Sequence, residues 1–361
     1  MLDADEILEA ESKDSLRSML ATPLADAYSL EIVNLTGKGE GRQLARIVRL
    51  FRNRPSFRYE GRIHEQVLPS LERAGIDPLP AEARIIHRGY LDQTLLARGK
   101  YQRNLELLLK EKEDCPDDPE ILFNLGQTYK LMGRDEEAER HYRGAGRRLK
   151  ENKKAGNGEA PLPFEGYFYF SFTDLLRKRG KSEEALALAK EGLAKFPRYS
   201  DLLFAYGQAL LDQNLVSEAL EAFEKCLRLE GHRHEGGTDP GTTSYKAWLA
   251  LGVCHERSGR LDQALDCLQR AIIASPPGEV AGRLNRGILL SKAGRISEGD
   301  QDFLAVLKID ENRFEAWQNL GANAFQRGDL SSAREAFVRA NALSPSSDLG
   351  FLIEKIASLL P

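Results

Sequence analysis

The sequence lacks any long apolar run: nothing in its 361 residues approaches the roughly 20 consecutive apolar side chains that a membrane-spanning helix needs. Its acidic beginning also lacks the apolar core flanked by Lys or Arg that marks a secretory signal peptide. The four cysteines form no CxxC pair, and Cys226 and Cys267 fall on apolar helix positions, where reduced and buried thiols are expected. These absences predict a cytoplasmic protein with no transmembrane segment.

An excess of basic residues is absent as well. The chain has 51 Lys and Arg against 55 Asp and Glu, a net charge of -4. Because nucleic acids and anionic membranes attract strongly basic proteins, this balance argues against a chain specialised for either partner. Apolar residues make up 42% and charged residues 29% of the chain, as in ordinary globular proteins, and its length suffices for two or more domains.

From about residue 119 onward the sequence contains an internal repeat with a period of roughly 34 residues. Each copy has a small residue in a first helix, a turn with glycine, and then alanine and an aromatic residue in a second helix. Copies near 166–199 and 280–313 keep fewer of these residues. The matching residues in the clearer copies are Leu125, Gly126, Tyr129, Ala138, Tyr142 and Ala145, then Tyr206, Gly207, Ala219 and Phe223, then Leu251, Gly252, Ala264, Ala271 and Pro276, and finally Leu320, Gly321, Ala333, Phe337, Ala340 and Pro345.

This pattern resembles the tetratricopeptide repeat (TPR), with about six copies over residues 119–345. Small residues let two antiparallel helices approach closely, and successive pairs stack because no single pair can bury its apolar face alone. We therefore predict a TPR superhelix, ended by a capping helix over 346–361 that covers the last repeat. The turn glycines are expected to adopt the left-handed conformation that ends each first helix: Gly133, Gly180, Gly259, Gly294 and Gly328.

Two polar insertions rich in glycine and proline interrupt the period, near 150–165 and 231–243. Loops of this kind lie at the surface and can carry binding residues. In the second insertion His232, His234 and Asp239 are candidate ligands of a transition metal, but without a fixed scaffold a mobile loop is the favoured interpretation.

Residues 1–95 differ from the repeats, because helix and strand patterns alternate there. This alternation predicts a partial α/β segment, which a linker helix over 96–118 joins to the repeats. The expected fold class of the whole chain is thus mostly α. The expected elements before the repeats are helices over Lys13–Ala21, His64–Ala74 and Leu91–Glu113 and strands over Asp26–Leu35, Gln43–Phe51 and Arg84–His87.

Two carboxylates one residue apart, Asp3 and Asp5, stand near the start of the chain. At the end of a strand, such a pair can hold one hard divalent cation through its oxygen atoms. The alternative interpretation is a disordered acidic terminus or a helix cap, since aspartate favours both.

The acidic pair is the first of four short motifs whose order and spacing look like the C-terminal half of a family 2 glycosyltransferase. The subgroup that residues 1–113 resemble is bacterial and carries tetratricopeptide repeats behind a catalytic domain of the GT-A type. The motifs are Leu2-Asp3-Ala4-Asp5-Glu6, Arg49-Leu50-Phe51-Arg52-Asn53, Gly61-Arg62-Ile63-His64-Glu65 and His87-Arg88-Gly89-Tyr90.

This resemblance implies that Asp3 and Asp5 bind Mn²⁺ or Mg²⁺ on the diphosphate of a nucleotide-sugar donor. In that family the nucleotide-binding half lies before the acidic motif, and this sequence does not contain it. The resemblance therefore implies that residues 1–95 are a truncated catalytic segment, inactive without the missing half.

Further candidates follow from the other motifs. Glu65 is the candidate general base for the acceptor hydroxyl, and His64 could bind the metal or orient the diphosphate. The alternative is a glutamate favoured at a helix N-terminus beside an ordinary polar histidine. Arg49 and Arg52 are the candidate diphosphate contacts, because the guanidinium fork suits phosphate oxygens, whereas a solvated strand face would explain most neighbouring arginines. His87 is expected to be a strand-end residue.

Two functions follow from these patterns. The first is the C-terminal portion of an inverting, metal-dependent glycosyltransferase, whose repeats bind a protein or polysaccharide acceptor along their concave surface. The second is non-enzymatic: a scaffold that binds protein partners in the TPR groove, preceded by a vestigial catalytic segment.

Overall fold

A computed structural model describes residues 5–21, 23–37, 41–60, 66–91, 99–154, 161–230 and 238–360. The chain divides into two compact units, Met1–Thr243 and Ser244–Pro361, which we call the first and the second unit. The first unit contains the sheet and the helices up to residue 243, and the described residues of the second unit, 244–360, form helices and the turns that join them.

A four-stranded sheet opens the first unit. Its strands are β1 (Glu6–Leu8), β2 (Ala27–Gly37), β3 (Gly41–Phe51) and β4 (Leu79–Leu91), in the order β1-β4-β2-β3. Strands β2 and β4 pair in parallel, and the other two pairs are antiparallel. The helix α1 (Ser12–Ala21) packs its apolar side chains on one face of the sheet. The residues of this core are Tyr28, Leu30, Ile32, Ala81, Ala83 and Ile85.

The three expected strands are present, each longer than predicted, and β1 was missed because three residues are too few for an alternating pattern. Two helix predictions were wrong in extent. The helix expected from His64 is the short α2 (Leu68–Arg73), which has a proline in its first turn. Leu91 was expected to begin a helix but ends β4, because β4 continues its pairing with β2 as far as Gly37.

Helix α3 (Gly99–Asp114) leads into three antiparallel helix pairs in the first unit. Arg148 and Glu151 form an ion pair one turn apart (2.6 Å) near the end of α5, and this helix continues to Lys154. The loop expected over 150–165 is therefore partly helix. The pairs are α4 (Pro119–Leu131) with α5 (Asp135–Lys154), α6 (Glu165–Lys178) with α7 (Ser182–Lys195), and α8 (Ser200–Asp212) with α9 (Val216–Arg228).

The second unit holds three more pairs and a final helix. That helix, α16 (Ser347–Ala357), buries Leu349 and Ile356 against Phe337 of the preceding pair. The pairs are α10 (Tyr245–Arg257) with α11 (Leu261–Ala274), α12 (Ala281–Lys292) with α13 (Ile296–Ile309), and α14 (Phe314–Gln326) with α15 (Leu330–Leu343).

The packing within the pairs confirms the physical reason for the repeat. A Cβ atom added to Gly126 would lie 2.5 Å from the buried Tyr142 ring, so only glycine lets the helices approach this closely. The five turn glycines named above all have positive φ, between 70° and 80°. In the third pair Asn214 takes this place with φ 58°, a substitution that the sequence analysis missed although asparagine tolerates this conformation.

Histidine protonation is expected to make the first unit sensitive to acid. His141 of α5 stacks on Tyr129 of α4, with ring centroids 5.2 Å apart. Burial, and then the positive charges of Lys112 and Arg140, lower the pKa of His141 from 6.5 to about 4. The folded chain therefore binds fewer protons than the unfolded chain, and stability present above about pH 6.5 is lost as the pH falls toward 4.

We expect protonation of His141 to account for about 1 to 3 kcal/mol of the lost stability, after allowing for the partial exposure of its ring. The check is the free energy of unfolding of the wild type and of His141→Gln, measured with urea at neutral pH and near pH 4.5. The wild type should lose more stability in acid than the variant. An equal loss in both proteins would contradict the assignment.

Candidate functional site

The pairing of β1 with β4 brings Asp5, a residue of the predicted metal site, next to His87, which was predicted only as a strand-end residue. Asp5 directly precedes β1, and its carbonyl oxygen accepts a hydrogen bond from the amide of Arg88 (3.0 Å). Glu6 lies opposite His87 in the register. As a result, Oδ2 of Asp5 lies 3.3 Å from Nε2 of His87.

A third side chain fixes the histidine ring. Asn34 lies beside His87 in the parallel pairing of β2 with β4, and its Oδ1 lies 2.7 Å from Nδ1 of His87. If Nδ1 donates to this oxygen, the Nε2 lone pair faces the Asp5 carboxylate, an arrangement that a cation between the two groups would stabilise. Asn34 was not a predicted site residue, although a polar side chain after Ile32 and Val33 was a signal in the sequence.

The two arginines proposed as diphosphate contacts make different ion pairs. Nη2 of Arg49 lies 2.5 Å from Oε1 of the buried Glu6, which follows Asp5 in sequence. Nε of Arg52 lies 2.6 Å from Oδ1 of Asp26, just before β2. The structure thus brings Arg49 next to a neighbour of Asp5, and it gives Arg52 another partner.

Several predicted site residues, namely Asp3, His64, Glu65, His232 and His234, lie outside the described residues. Within the described ranges, no group of three or more His, Cys, Asp or Glu side chains could hold a metal ion. Asp5 and His87 would supply one oxygen and one nitrogen ligand, a donor set that suits Mn²⁺ better than Mg²⁺. A complete site would need a further ligand.

A second candidate site is the face that the first helices of the three pairs present away from their second helices. Residues at spacings of i, i+4 and i+7 share one face of a helix. In α6 this face carries Phe170, Asp174 and Arg177, whereas Thr173, at the position where other pairs have glycine, is fully buried.

Five aromatic rings form a continuous row whose middle three members are partly exposed on this face and whose ends, Phe123 and Tyr199, are buried in the core. Phe123 of α4 stacks on Phe164, which precedes α6 (centroids 5.3 Å apart), and meets Tyr167 edge-on (5.8 Å). Tyr167 in turn lies 5.9 Å from Phe170, whose ring meets Tyr199 edge-on at 6.3 Å. Phe164, Tyr167 and Phe170 pack on the core of the first unit and are only partly buried, so part of each ring is accessible to a partner.

A ladder of opposite charges runs beside the aromatic row. Nζ of Lys130 in α4 lies 2.9 Å from Oδ2 of Asp174 in α6, and Nη1 of Arg177 lies 3.3 Å from Oδ2 of Asp212 in α8. Burial alone would raise the pKa of Asp174, but the ammonium groups of Lys130 and Lys178 outweigh it and lower that pKa below its usual value. Asp174 therefore stays ionised and links the first helices of neighbouring pairs.

Among the described residues, no helix combines the length and the apolar composition that crossing a membrane requires.

Models of the tetratricopeptide repeat match residues 121–154, 173–230 and 245–277. A TPR repeat-containing protein of Synechococcus elongatus is 27% identical over 353 residues, which cover 95% of this chain and 73% of that protein. The human protein O-mannosyl-transferase TMTC1 is 25% identical over 241 residues, covering 66% of this chain but only 24% of the human protein.

Solved structures resemble the helical array. A tetratricopeptide repeat protein from Parabacteroides merdae has a TM-score of 0.54 and 16% identity, covering 73% of this chain and 95% of that one. The type IV pilus biogenesis factor PilW has a TM-score of 0.53 and 18% identity, covering 65% and 98% of the two chains. At these identities the likeness shows the fold alone. Together with the packed helix pairs, the matches to the family models show that the chain contains tetratricopeptide repeats.

Proposed function

We propose that this chain is a scaffold whose first unit binds an extended segment of a protein partner on the face formed by α4, α6 and α8. The observation that carries this proposal is the set of three partly buried rings, Phe164, Tyr167 and Phe170, beside the ladder of charges. Aromatic side chains supply large contact areas at a low cost in conformational entropy. The fixed alternation of charge along the ladder gives the bound segment its register and direction.

The test begins with a random peptide library panned against the full chain. The affinity of each binding peptide is then measured for the variants Tyr167→Ala and Phe170→Ala. Each variant removes one ring of the aromatic row. We expect each variant to weaken binding by tenfold or more, since central aromatic residues contribute about 2 kcal/mol or more at interfaces. The matched control is Phe351→Ala, which removes a ring that is 69% exposed on α16.

Peptides that bind Phe351→Ala and both groove variants with equal affinity would overturn the scaffold proposal for this face. Circular dichroism of each variant distinguishes loss of the contact from loss of the fold. Tyr167 and Phe170 are only partly buried, so both variants are expected to keep the helical content of the wild type.

We propose as a second function that the sheet binds a divalent cation and the diphosphate of a nucleotide-sugar, as a portion of a glycosyltransferase. The specific support is the contact of Asp5 with His87, and two relatives bear names of glycosyl-transferring enzymes: the human O-mannosyl-transferase and a Hordeum vulgare N-acetylglucosaminyltransferase, the latter 26% identical over 163 residues. The repeats would then hold the protein or polysaccharide acceptor.

In this second proposal each residue has one task. Asp5 and His87, with Asp3, hold the cation, and Asn34 orients the histidine ring. A bound cation of this kind supplies positive charge to the leaving diphosphate. Arg49 and Arg52 as contacts of that diphosphate remain proposals of the motif resemblance, since the structure pairs Arg49 with Glu6 and Arg52 with Asp26. Glu65 as general base and His64 beside it remain proposals of the motif resemblance.

The second proposal is tested by the melting temperature of the full chain with Mn²⁺ and uridine diphosphate. Ligand at 100 times its dissociation constant stabilises the folded state by about 2.7 kcal/mol. We expect a rise in the wild type, and no rise in Asp5→Asn or His87→Ala. Asp14→Asn is the matched control, since the side chain of Asp14 is 92% exposed on α1. A rise that persists in Asp5→Asn and His87→Ala would contradict the assigned ligands, and no rise in the wild type would contradict the function.

A further inference from the structure

The second insertion is not a free surface loop where the structure describes it. Residues 238–243 contain a short 3-10 helix, Pro240–Thr243, and most of them are buried. Thr238, for example, is only 6% exposed. The mobile-loop interpretation is therefore wrong for this part of the insertion, and Asp239, once a candidate metal ligand, has another role.

One end of this segment is bound to the third helix pair through a buried carboxylate. Asp201, in the first turn of α8, is 3% exposed. Its oxygens accept hydrogen bonds from the amide of Asp239 (3.0 and 3.1 Å) and from the hydroxyl of Thr242 (2.8 Å). Hydrogen bonds to a charged acceptor are stronger than neutral ones, and they strengthen further away from water.

The other end of the segment is bound to the edge of the sheet. The amide of Leu44 donates to the carbonyl oxygen of Thr238, and the amide of Thr238 donates to that of Leu44, both at 2.9 Å. These reciprocal bonds extend the sheet beyond β3, its outermost strand in the order of the four. The segment thus covers part of a strand edge that would otherwise present unpaired backbone groups.

From these contacts we propose that residues 238–243 form a clamp that fastens the sheet to the third helix pair, with Asp201 as the anchor on which the clamp depends. The clamp holds β3 and α8 in a fixed position relative to each other, although about 150 residues separate them in sequence. A partner bound on α8 is thereby held at a fixed position relative to the sheet. That last consequence rests on the proposed function, whereas the clamp itself does not.

Hydrogen exchange of the full chain, read by mass spectrometry, tests the clamp. In Asp201→Ala the amide of Asp239 loses its acceptor, and the hydroxyl of Thr242 keeps only the carbonyl oxygen of Asp239, 2.7 Å away. We expect peptides containing Leu44 and Thr238 to exchange at least tenfold faster than in the wild type. Peptides from β1 and α4 should keep the wild-type rate. The matched control is Glu224→Ala on α9 of the same pair, where the residue is exposed and its removal should leave the exchange of Leu44 unchanged.

A second variant keeps the test independent of the folding of α8. Thr238→Pro removes the amide that donates to Leu44 and leaves Asp201 intact. Faster exchange at Leu44 in both variants supports the clamp. Wild-type exchange at Leu44 in either variant would overturn it, as would a loss of protection in Asp201→Ala that extends equally through α8 and α9. None of these outcomes depends on a peptide or a metal ion binding, so failure of the clamp and failure of the proposed functions are separate results.

Discussion

Replacing Arg286 with alanine is expected to destabilise the second unit by about 3 kcal/mol or more. Arg286 of α12 donates two hydrogen bonds to Asp302 of α13, at 2.7 and 2.6 Å. The side chain of Asp302 is only 4% exposed, so the variant would leave a buried carboxylate without its counter-charge. Removing one partner of such a pair costs far more than removing both, because the remaining charge has lost its hydration as well.

A neighbouring pair supplies the matched control. Arg295 and Glu298 make the same kind of contact, with Nη2 and Oε2 2.7 Å apart, but their side chains are 45% and 52% exposed. Arg295→Ala should therefore cost less than about 1 kcal/mol. The two tryptophans of the chain, Trp248 and Trp317, both lie in the second unit, so their fluorescence during urea denaturation reports this unit selectively. If Arg286→Ala and Arg295→Ala lost equal amounts of stability, burial of the ion pair would not be the cause of the large expected effect.

Replacing Phe223 with alanine should destabilise the first unit by about 3 to 5 kcal/mol, since it removes a large buried side chain and leaves a cavity. Phe223 is fully buried between the helices of the third pair. It packs so closely on α8 that a Cβ atom added to Gly207 would lie 2.7 Å from its ring. The free energy of unfolding, measured by circular dichroism in urea, is the observable.

A double-mutant cycle shows whether the close contact between Phe223 and Gly207 contributes to this loss of stability. Gly207→Leu alone should destabilise the chain by about 1 to 3 kcal/mol through overpacking. In the Phe223→Ala background the leucine enters the cavity, so the double variant should lose less than the sum of the two single losses. Phe351→Ala, at a ring 69% exposed, should cost about 0.5 kcal/mol or less. Strict additivity in the cycle would contradict the proposed packing.

The repeats could be predicted in detail because most copies pair a glycine in the first helix with a large residue in the second helix. Gly126 with Tyr142, and Gly207 with Phe223, recur at one spacing, and the structure puts each pair in contact. A single periodic pattern therefore predicts both where the helices lie and how they pack against each other. The exception is instructive: Asn214 replaces the turn glycine, and only its backbone conformation identifies it as the equivalent residue.

The candidate metal site was less predictable, because it depends on which strands are neighbours. Asp5, Asn34 and His87 are far apart in sequence, and only the order β1-β4-β2 brings them together. No periodicity encodes that order. The clamp could not be predicted for the same reason, because no local pattern in the sequence connects Leu44 with Thr238. Asp201 also had no feature that distinguished it from other acidic residues of the repeats.

The most direct test of the scaffold proposal is hydroxyl-radical footprinting of the full chain with a peptide obtained by panning. Oxidation of side chains reports their access to solvent, and the aromatic row contains readily oxidised rings. We predict that the bound peptide lowers the labelling of Tyr167 and Phe170 severalfold and leaves that of Phe351 unchanged. Unchanged labelling of Tyr167 and Phe170, with protection confined to the second helices or to the second unit, would contradict the account.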